Sequence, residues 1–246
     1  MEYCRHFKQL VNDKRWENQY IGVGNPNAKI LIVGKECALD PNEQSVLYDM
    51  YDRTFLQNWK DWRNNINNDI HFDSIMEWQN DEEIFIKYNP LWPFYKQRFK
   101  CLRQLKDGSF NGGTSNTWFN YQKMFNLYRK RIGVEANPEY IDFFKDCFIT
   151  ELSDICRPNN NNLSKDEKEA TKQSISKRYD LIKETTFFKG FDVVIMVCGG
   201  YADKLNTDLM FGGAKVINTN PLDGHRLPQL SFCISDKLLE SIAEQL

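Results

Sequence analysis

The run Lys29-Ile30-Leu31-Ile32-Val33-Gly34-Lys35-Glu36 decides the fold. Its apolar residues are continuous rather than alternating, the pattern of a strand covered on both faces, and a glycine closes it where a sharp turn is wanted. Three further runs have the same character: Cys147 to Leu152, Asp192 to Val197 and Ala214 to Asn218. Helical patterns separate them, notably Ser164 to Phe187, where Ser164 and Glu167 have the spacing of a capping box. Strands alternating with helices call for right-handed crossovers and parallel pairing. The expected fold class is α/β, a three-layer α/β/α arrangement around a central, mostly parallel four-stranded sheet.

With 246 residues, the chain is long enough to bury one large core, and we expect a single domain over 1–246. A helical, aromatic-rich insertion is expected at about 41–136. Within it Trp118, Tyr121, Phe125 and Tyr128 recur at helical spacing, which favours helix core over a base-stacking platform. Asn64 to Asp69, Asp107 to Asn116 and the asparagine tract Asn159 to Asn162 read as loops.

Hydrophobic residues make up 41% and charged residues 27%, an ordinary globular balance. The formal net charge of −2 lacks the basic footprint of a protein that coats DNA, so any nucleic-acid contact has to use a local patch. No apolar run has membrane-spanning length, and the first residues do not resemble a signal peptide; a cytoplasmic protein without membrane contact is expected. The seven cysteines form no Cys-x-x-Cys pair, so neither a metal site nor a disulfide framework is expected, and Cys147, Cys198 and Cys233 should pack as small hydrophobes.

In a parallel sheet, ligands bind beyond the carboxyl ends of the strands. Three loops start there. Gly34-Lys35-Glu36 puts a carboxylate at the mouth of a cleft, where it could activate water; the plain alternative is a solvated loop. Glu151 interrupts an apolar strand near its end and must find a partner or solvent, a buried pair with an arginine being the plain alternative. Asn218-Thr219-Asn220-Pro221-Leu222-Asp223-Gly224-His225-Arg226 offers amides, an apolar residue in a polar loop, and two phosphate-binding groups; alternatively it is a simple turn with Leu222 folded into the core.

In order, these loops resemble the uracil-DNA glycosylase superfamily. Asn25-Pro26-Asn27-Ala28-Lys29 leading through Ile30–Val33 to Gly34-Lys35-Glu36 looks like its first motif, which reads Gly-Gln-Asp-Pro-Tyr-His in the best-known branch. Phe148-Ile149-Thr150-Glu151 followed by Cys156-Arg157-Pro158 is similar to the middle segment of the iron-sulfur branches. The run Val194 to Ala202 is similar to a strand and Gly-x-x-Ala turn, and Asn218 to Asp223 to the terminal His-Pro-Ser-Pro-Leu-Ser.

The resemblance implies that Glu36 positions water, that Asn218 with His225 meets the departing base, and that Leu222 enters the DNA stack. It implies substrate binding by Gly34, Lys35, Tyr51, Phe55, Glu151, Asn220, Leu222 and Arg226, with Tyr51 or Phe55 stacking on the base. Departures fall at Asn218, where the best-known branch has histidine; at Glu151, where asparagine reads uracil; and at Ala38, where tyrosine excludes thymine. Cys156 lacks the companion cysteines of the iron-sulfur branches, so no iron-sulfur cluster and no cofactor are expected. The expected function is an N-glycosylase acting on a flipped base in DNA. Its alternatives are an inactive module of the same fold that binds nucleic acid or a nucleobase-containing ligand, and a protein-interaction component using the aromatic insertion.

Overall fold

A computed structural model describes residues 2–36, 55–76, 88–93, 97–101, 103, 105–108, 111, 113–136, 139–156, 164–231 and 234–246. The chain opens with helix α1 (Arg5–Asn12) and strands β1 (Val23–Gly24) and β2 (Ile30–Gly34). Helices α2 (Asn58–Asn67), α3 (Phe72–Met76) and α4 (Asn116–Arg131) precede β3 (Cys147–Glu151). Then come α5 (Lys165–Glu184), β4 (Val193–Met196), α6 (Thr207–Phe211), β5 (Lys215–Ile217) and α7 (Asp236–Ala243).

The strands form one mixed sheet in the order β1-β3-β2-β4-β5. The four apolar runs all become strands, and β2 through β5 pair in parallel. The sheet has five strands rather than four, because Val23–Gly24 adds antiparallel to β3. Two residues, one of them glycine, carry no strand periodicity, so this addition depends on tertiary contacts alone.

β2 lies at the centre with every residue buried, as its unbroken apolar run requires. Its register sets Ile30 beside Cys147 and Gly34 beside Glu151. Pairing continues past the strand ends, with Leu152 N donating to Gly34 O and Ser153 N to Lys35 O, both at 3.0 Å. Lys35 and Glu36 therefore ride on a hydrogen-bonded extension of the sheet.

Several described aromatics of the insertion pack into the main core with the sheet residues. Trp62 is fully buried, and its ring lies 6.0 Å from that of Phe148. Phe148 also meets Phe7 at 5.8 Å and Phe187 at 5.1 Å. Asn58 of α2 accepts from Ile21 N at 2.8 Å and Gly22 N at 3.2 Å, and donates to Gly22 O at 2.9 Å. Gly22 has a φ of +146°, and a Cβ there would lie 2.3 Å from Ile149 O, so only glycine fits between α2 and β3. On α4, Gln122 accepts from Asp142 N and Phe143 N, while Arg129 reaches Asp142 at 2.6 Å and Asp146 at 2.5 Å, fixing the entry to β3.

Two boundaries differ from the sequence reading. Asn64 to Asp69 is not all loop, since α2 runs through Asn67. Buried Asn65 exchanges two amide hydrogen bonds of 2.8 Å with Asn89, which outweighs the poor helix propensity of asparagine. The helix starting after Ser164 has its capping box but stops at Glu184, and Phe187 opens a separate 3₁₀ turn. The tract Asn159 to Asn162 and part of Asp107 to Asn116 lie outside the described residues. Among the described residues, no helix is long and apolar enough to cross a membrane.

Arg178 of α5 is fully buried and ties three oxygens together. Nε donates to Glu151 O at 3.0 Å, Nη2 to Thr150 Oγ1 at 2.5 Å, and Nη1 to Tyr20 O. Removing the guanidinium would leave buried acceptors unmet at about 1–3 kcal/mol each. In a chain of this size 1 kcal/mol shifts the melting temperature by roughly 2–4 °C. Arg178→Met should therefore lower it by on the order of 10 °C in thermal unfolding followed by circular dichroism. An unchanged melting temperature would show that the three contacts are dispensable.

Candidate functional site

The site grows from the parallel register of β2 and β3. Because Gly34 and Glu151 are partners, the Glu151 side chain lies across the glycine, and a Cβ at position 34 would sit 2.0 Å from Glu151 Oε2. The glycine is thus needed for space beneath a carboxyl group and not for the expected sharp turn, since the pairing runs on through it to Lys35. Two residues further on, Glu36 is buried at 4% exposure, with Lys35 Nζ 3.1 Å from its Oε1. The Lys35 ammonium also sits 4.8 Å from the centre of the Tyr201 ring.

Glu151 does not pair with Arg178 in the expected manner. The guanidinium takes the Glu151 main-chain oxygen, and Oε2 of its carboxyl group, shielded from solvent, has no hydrogen-bond partner among the described residues. Burial first, and then the charge of Glu36, push the Glu151 carboxyl up to about 8, against a smaller opposing pull from Arg178. At neutral pH Glu151 is mainly the neutral acid. It then offers one O–H donor and one carbonyl acceptor, the same pair of functions that an asparagine amide presents.

Around this pair, burial first and then Glu151 push up both Tyr121 of α4 and Cys198 after β4. Burial, then Glu151, raise the Cys198 thiol to about 12, so it stays protonated, and burial likewise raises Cys147. Both are fully buried, as expected for cysteines acting as small hydrophobes; Cys233 is outside the described residues.

Asn218 is half-buried at the end of β5, two strands from β2, which is roughly 10 Å at ordinary strand spacing. Thr219 Oγ1 donates to its side-chain oxygen at 3.1 Å. Beyond it the chain makes a hairpin-like loop closed by a bridge between Thr219 and Arg226. Asn220 is buried and spent on this turn: it accepts from Leu222 N and donates to Asp223 Oδ2, both at 2.9 Å. Leu222 is 53% exposed at the tip rather than folded into the core. His225 is exposed, and Arg226 pairs with Asp203 at 2.6 Å.

Phe55 is buried against Tyr20, with ring centres 4.6 Å apart, so its face is already covered. Tyr51, Ala38, Arg157 and Pro158 lie outside the described residues. The structure thus brings Gly34, Lys35, Glu36 and Glu151 together, sets Asn218 and the Leu222 loop to one side, and turns Phe55 inward. Tyr201 and Arg178 were missed as site neighbours. A signal for Arg178 existed: it falls in the stripe Thr171, Ser174, Arg178, Leu181 that α5 buries. Among the described residues, no three of His, Cys, Asp and Glu are grouped to hold a metal ion.

A scan against protein-family models finds none that matches this chain. A search of curated proteins likewise finds no match.

Two outcomes are expected. Gly34→Ala forces the Glu151 carboxyl to move and should destabilise the protein, while the same change in a Glu151→Ala background should cost far less; equal losses in both would refute the steric coupling. For pH, the folded value of Glu151 lies above its ordinary value of 4.5, so the neutral acid favours the fold. That contribution is complete below about 4.5 and is lost as pH rises through about 8. The melting temperature of the wild type should therefore fall over this window relative to Glu151→Gln, measured by calorimetry in a pH series.

Proposed function

We propose that the protein handles a nucleobase swung out of DNA and cleaves its N-glycosidic bond, in the manner of a divergent uracil-DNA glycosylase-like fold. In the same reading the sheet is the middle of three α/β/α layers. The observation that carries the proposal is the meeting of Glu36 and Glu151 at the carboxyl ends of adjacent central strands, one beside a lysine and the other favoured as a neutral acid.

The two carboxyl groups suit different tasks. Cleavage of an N-glycosidic bond develops positive charge on the sugar and negative charge on the leaving base. Glu36, as a carboxylate, holds water and opposes the sugar cation. Neutral Glu151 donates to a base carbonyl and accepts from the neighbouring N–H, so it meets a lactam edge where an ionised carboxylate could only accept. Asn218, with His225, donates to the departing base. Exposed Leu222 fills the space the base vacates, which offsets part of the few kcal/mol that extrusion costs. Arg226 reaches a phosphate only by exchanging Asp203 for it.

A second reading, binding of a base or nucleotide without bond cleavage, draws on that engagement of Arg226 and on the commitment of Asn220 to its turn. Release of base from oligonucleotides carrying uracil, hypoxanthine, xanthine or mismatches tests both. We expect release that is lost in Glu36→Gln and reduced about 10²-fold or more in Asn218→Ala. Release should also fall as pH rises through about 8 in the wild type, while Glu151→Gln persists above it. Saturable binding with no product selects the second reading, and neither binding nor release removes both.

A further inference from the structure

Among the described residues between 98 and 114, main-chain hydrogen bonds build a hairpin-like arm that leads into α4. Thr114 N donates to Lys100 O at 2.8 Å and Asn111 N to Arg103 O at 3.0 Å, and a turn closed by Gly108 N on Leu105 O, also at 3.0 Å, makes the tip. The Asn111 side chain staples the two sides together. It accepts from Arg103 N at 3.1 Å and Gly113 N at 3.0 Å, and donates to Cys101 O at 3.0 Å. A Cβ at Gly113 would lie 2.6 Å from both Lys100 O and Cys101 O, so the sides approach as closely as glycine permits.

The arm is basic in a chain that is not. It carries Arg98, Lys100, Arg103 and Lys106 against one acid, Asp107, while the whole chain has a formal charge of −2. Arg98 stays at the root beside Glu139, since it bridges to Tyr140 and Phe99 N donates to Glu139 O at 2.7 Å. Arg103 and Lys106 are exposed and Lys100 is half-buried; none of the three has an ion-pair partner among the described residues. The arm also lies toward the end of the sheet that holds the carboxyl pair. Arg129 near the end of α4 meets Asp142 and Asp146 at the entry to β3, so the helix runs back along that strand and its start lies toward the strand's carboxyl end. There Asn120 donates to Ser231 O at 2.6 Å, in the segment that leaves the Leu222 loop.

We propose that Lys100, Arg103 and Lys106 grip the phosphate backbone of DNA. A chain of net negative charge is repelled by a polyanion unless a local patch reverses the sign, and this arm is such a patch. Its cations are spread from root to tip, so one small anion cannot meet all three whereas a run of phosphates can. Contacts of this kind fix position without reading sequence, and each phosphate neutralised releases condensed counterions. The hydrogen-bonded frame holds the cations in place before DNA arrives, which limits the ordering cost of binding. The inference rests on the base-excision reading only in choosing DNA among polyanions.

The experiment is fluorescence anisotropy of an undamaged, labelled DNA duplex titrated with the full chain over a salt series, with circular dichroism as the control for folding. Each phosphate contact contributes about 0.9 to the slope of log affinity against log salt. The triple change Lys100→Gln, Arg103→Gln and Lys106→Gln should therefore reduce the slope by roughly 2–3 and weaken binding about tenfold or more at low salt. Arg103→Gln with Lys106→Gln, both at exposed positions, should reduce it by roughly 2 and serves if the Lys100 change disturbs the fold. Removing Lys165, Lys168 and Lys177 from the exposed face of α5 in the same way should leave the slope unchanged. No binding at low salt, an unchanged slope in the arm variants, or an equal loss in the α5 variant overturns the proposal. Arm-dependent binding without release of any base upholds it and removes only the cleavage reading.

Discussion

The buried guanidinium of Arg178 is the constraint on which the site depends. It gathers a main-chain oxygen from the segment before β1, another from the end of β3, and the Thr150 hydroxyl. Thr150 in turn donates to Ile21 O at 2.8 Å, so the entry segment, the third strand and α5 are locked at one point. A charge so deep in the protein is costly unless its donors are met, and burial correspondingly lowers the pKa of Arg178. By spending its donors on backbone and hydroxyl oxygens, Arg178 leaves the Glu151 carboxyl without the partner that would keep it ionised.

That choice governs the chemistry of the pair. Two carboxyl groups within reach of one another in a low-dielectric setting do not readily ionise together. Lys35 stands against Glu36, while burial and then the Glu36 charge favour the proton on Glu151. The asymmetry follows from backbone register, since the pairing of Gly34 with Glu151 lays one acid over the central strand while the strand's own extension carries the other.

Much of this frame was legible in the sequence. Continuous apolar runs identify buried parallel strands because their period differs from that of the helices between them, and the Ser164 box marked the start of α5 correctly. The two-residue β1 was not legible, since Val23–Gly24 is a strand only through its neighbours. Glu36 and Glu151 could each be flagged, but not their meeting, because register is fixed by packing that no local pattern encodes. Asn220 and Phe55 drew attention for their chemical type; the fold uses one to close a turn and the other to cover Tyr20. Arg178 falls in the buried stripe of α5 with Thr171, Ser174 and Leu181, but which oxygens it meets depends on tertiary packing that no local pattern encodes.

The small strand β1 has a consequence for how the protein meets its surroundings. A sheet presents unpaired N–H and C=O groups along its outermost strands, and these can template the addition of foreign strands. On the β1 side the donors are already consumed, Ile21 and Gly22 by the Asn58 side chain and Gly24 by Pro90 O at 2.8 Å. On the other side β5 is only three residues long and begins with exposed Lys215. Among the described residues, the β1 margin thus has few donors left to offer a foreign strand, and the β5 margin is short and starts with a charge, so both disfavour growth of the sheet by strand addition.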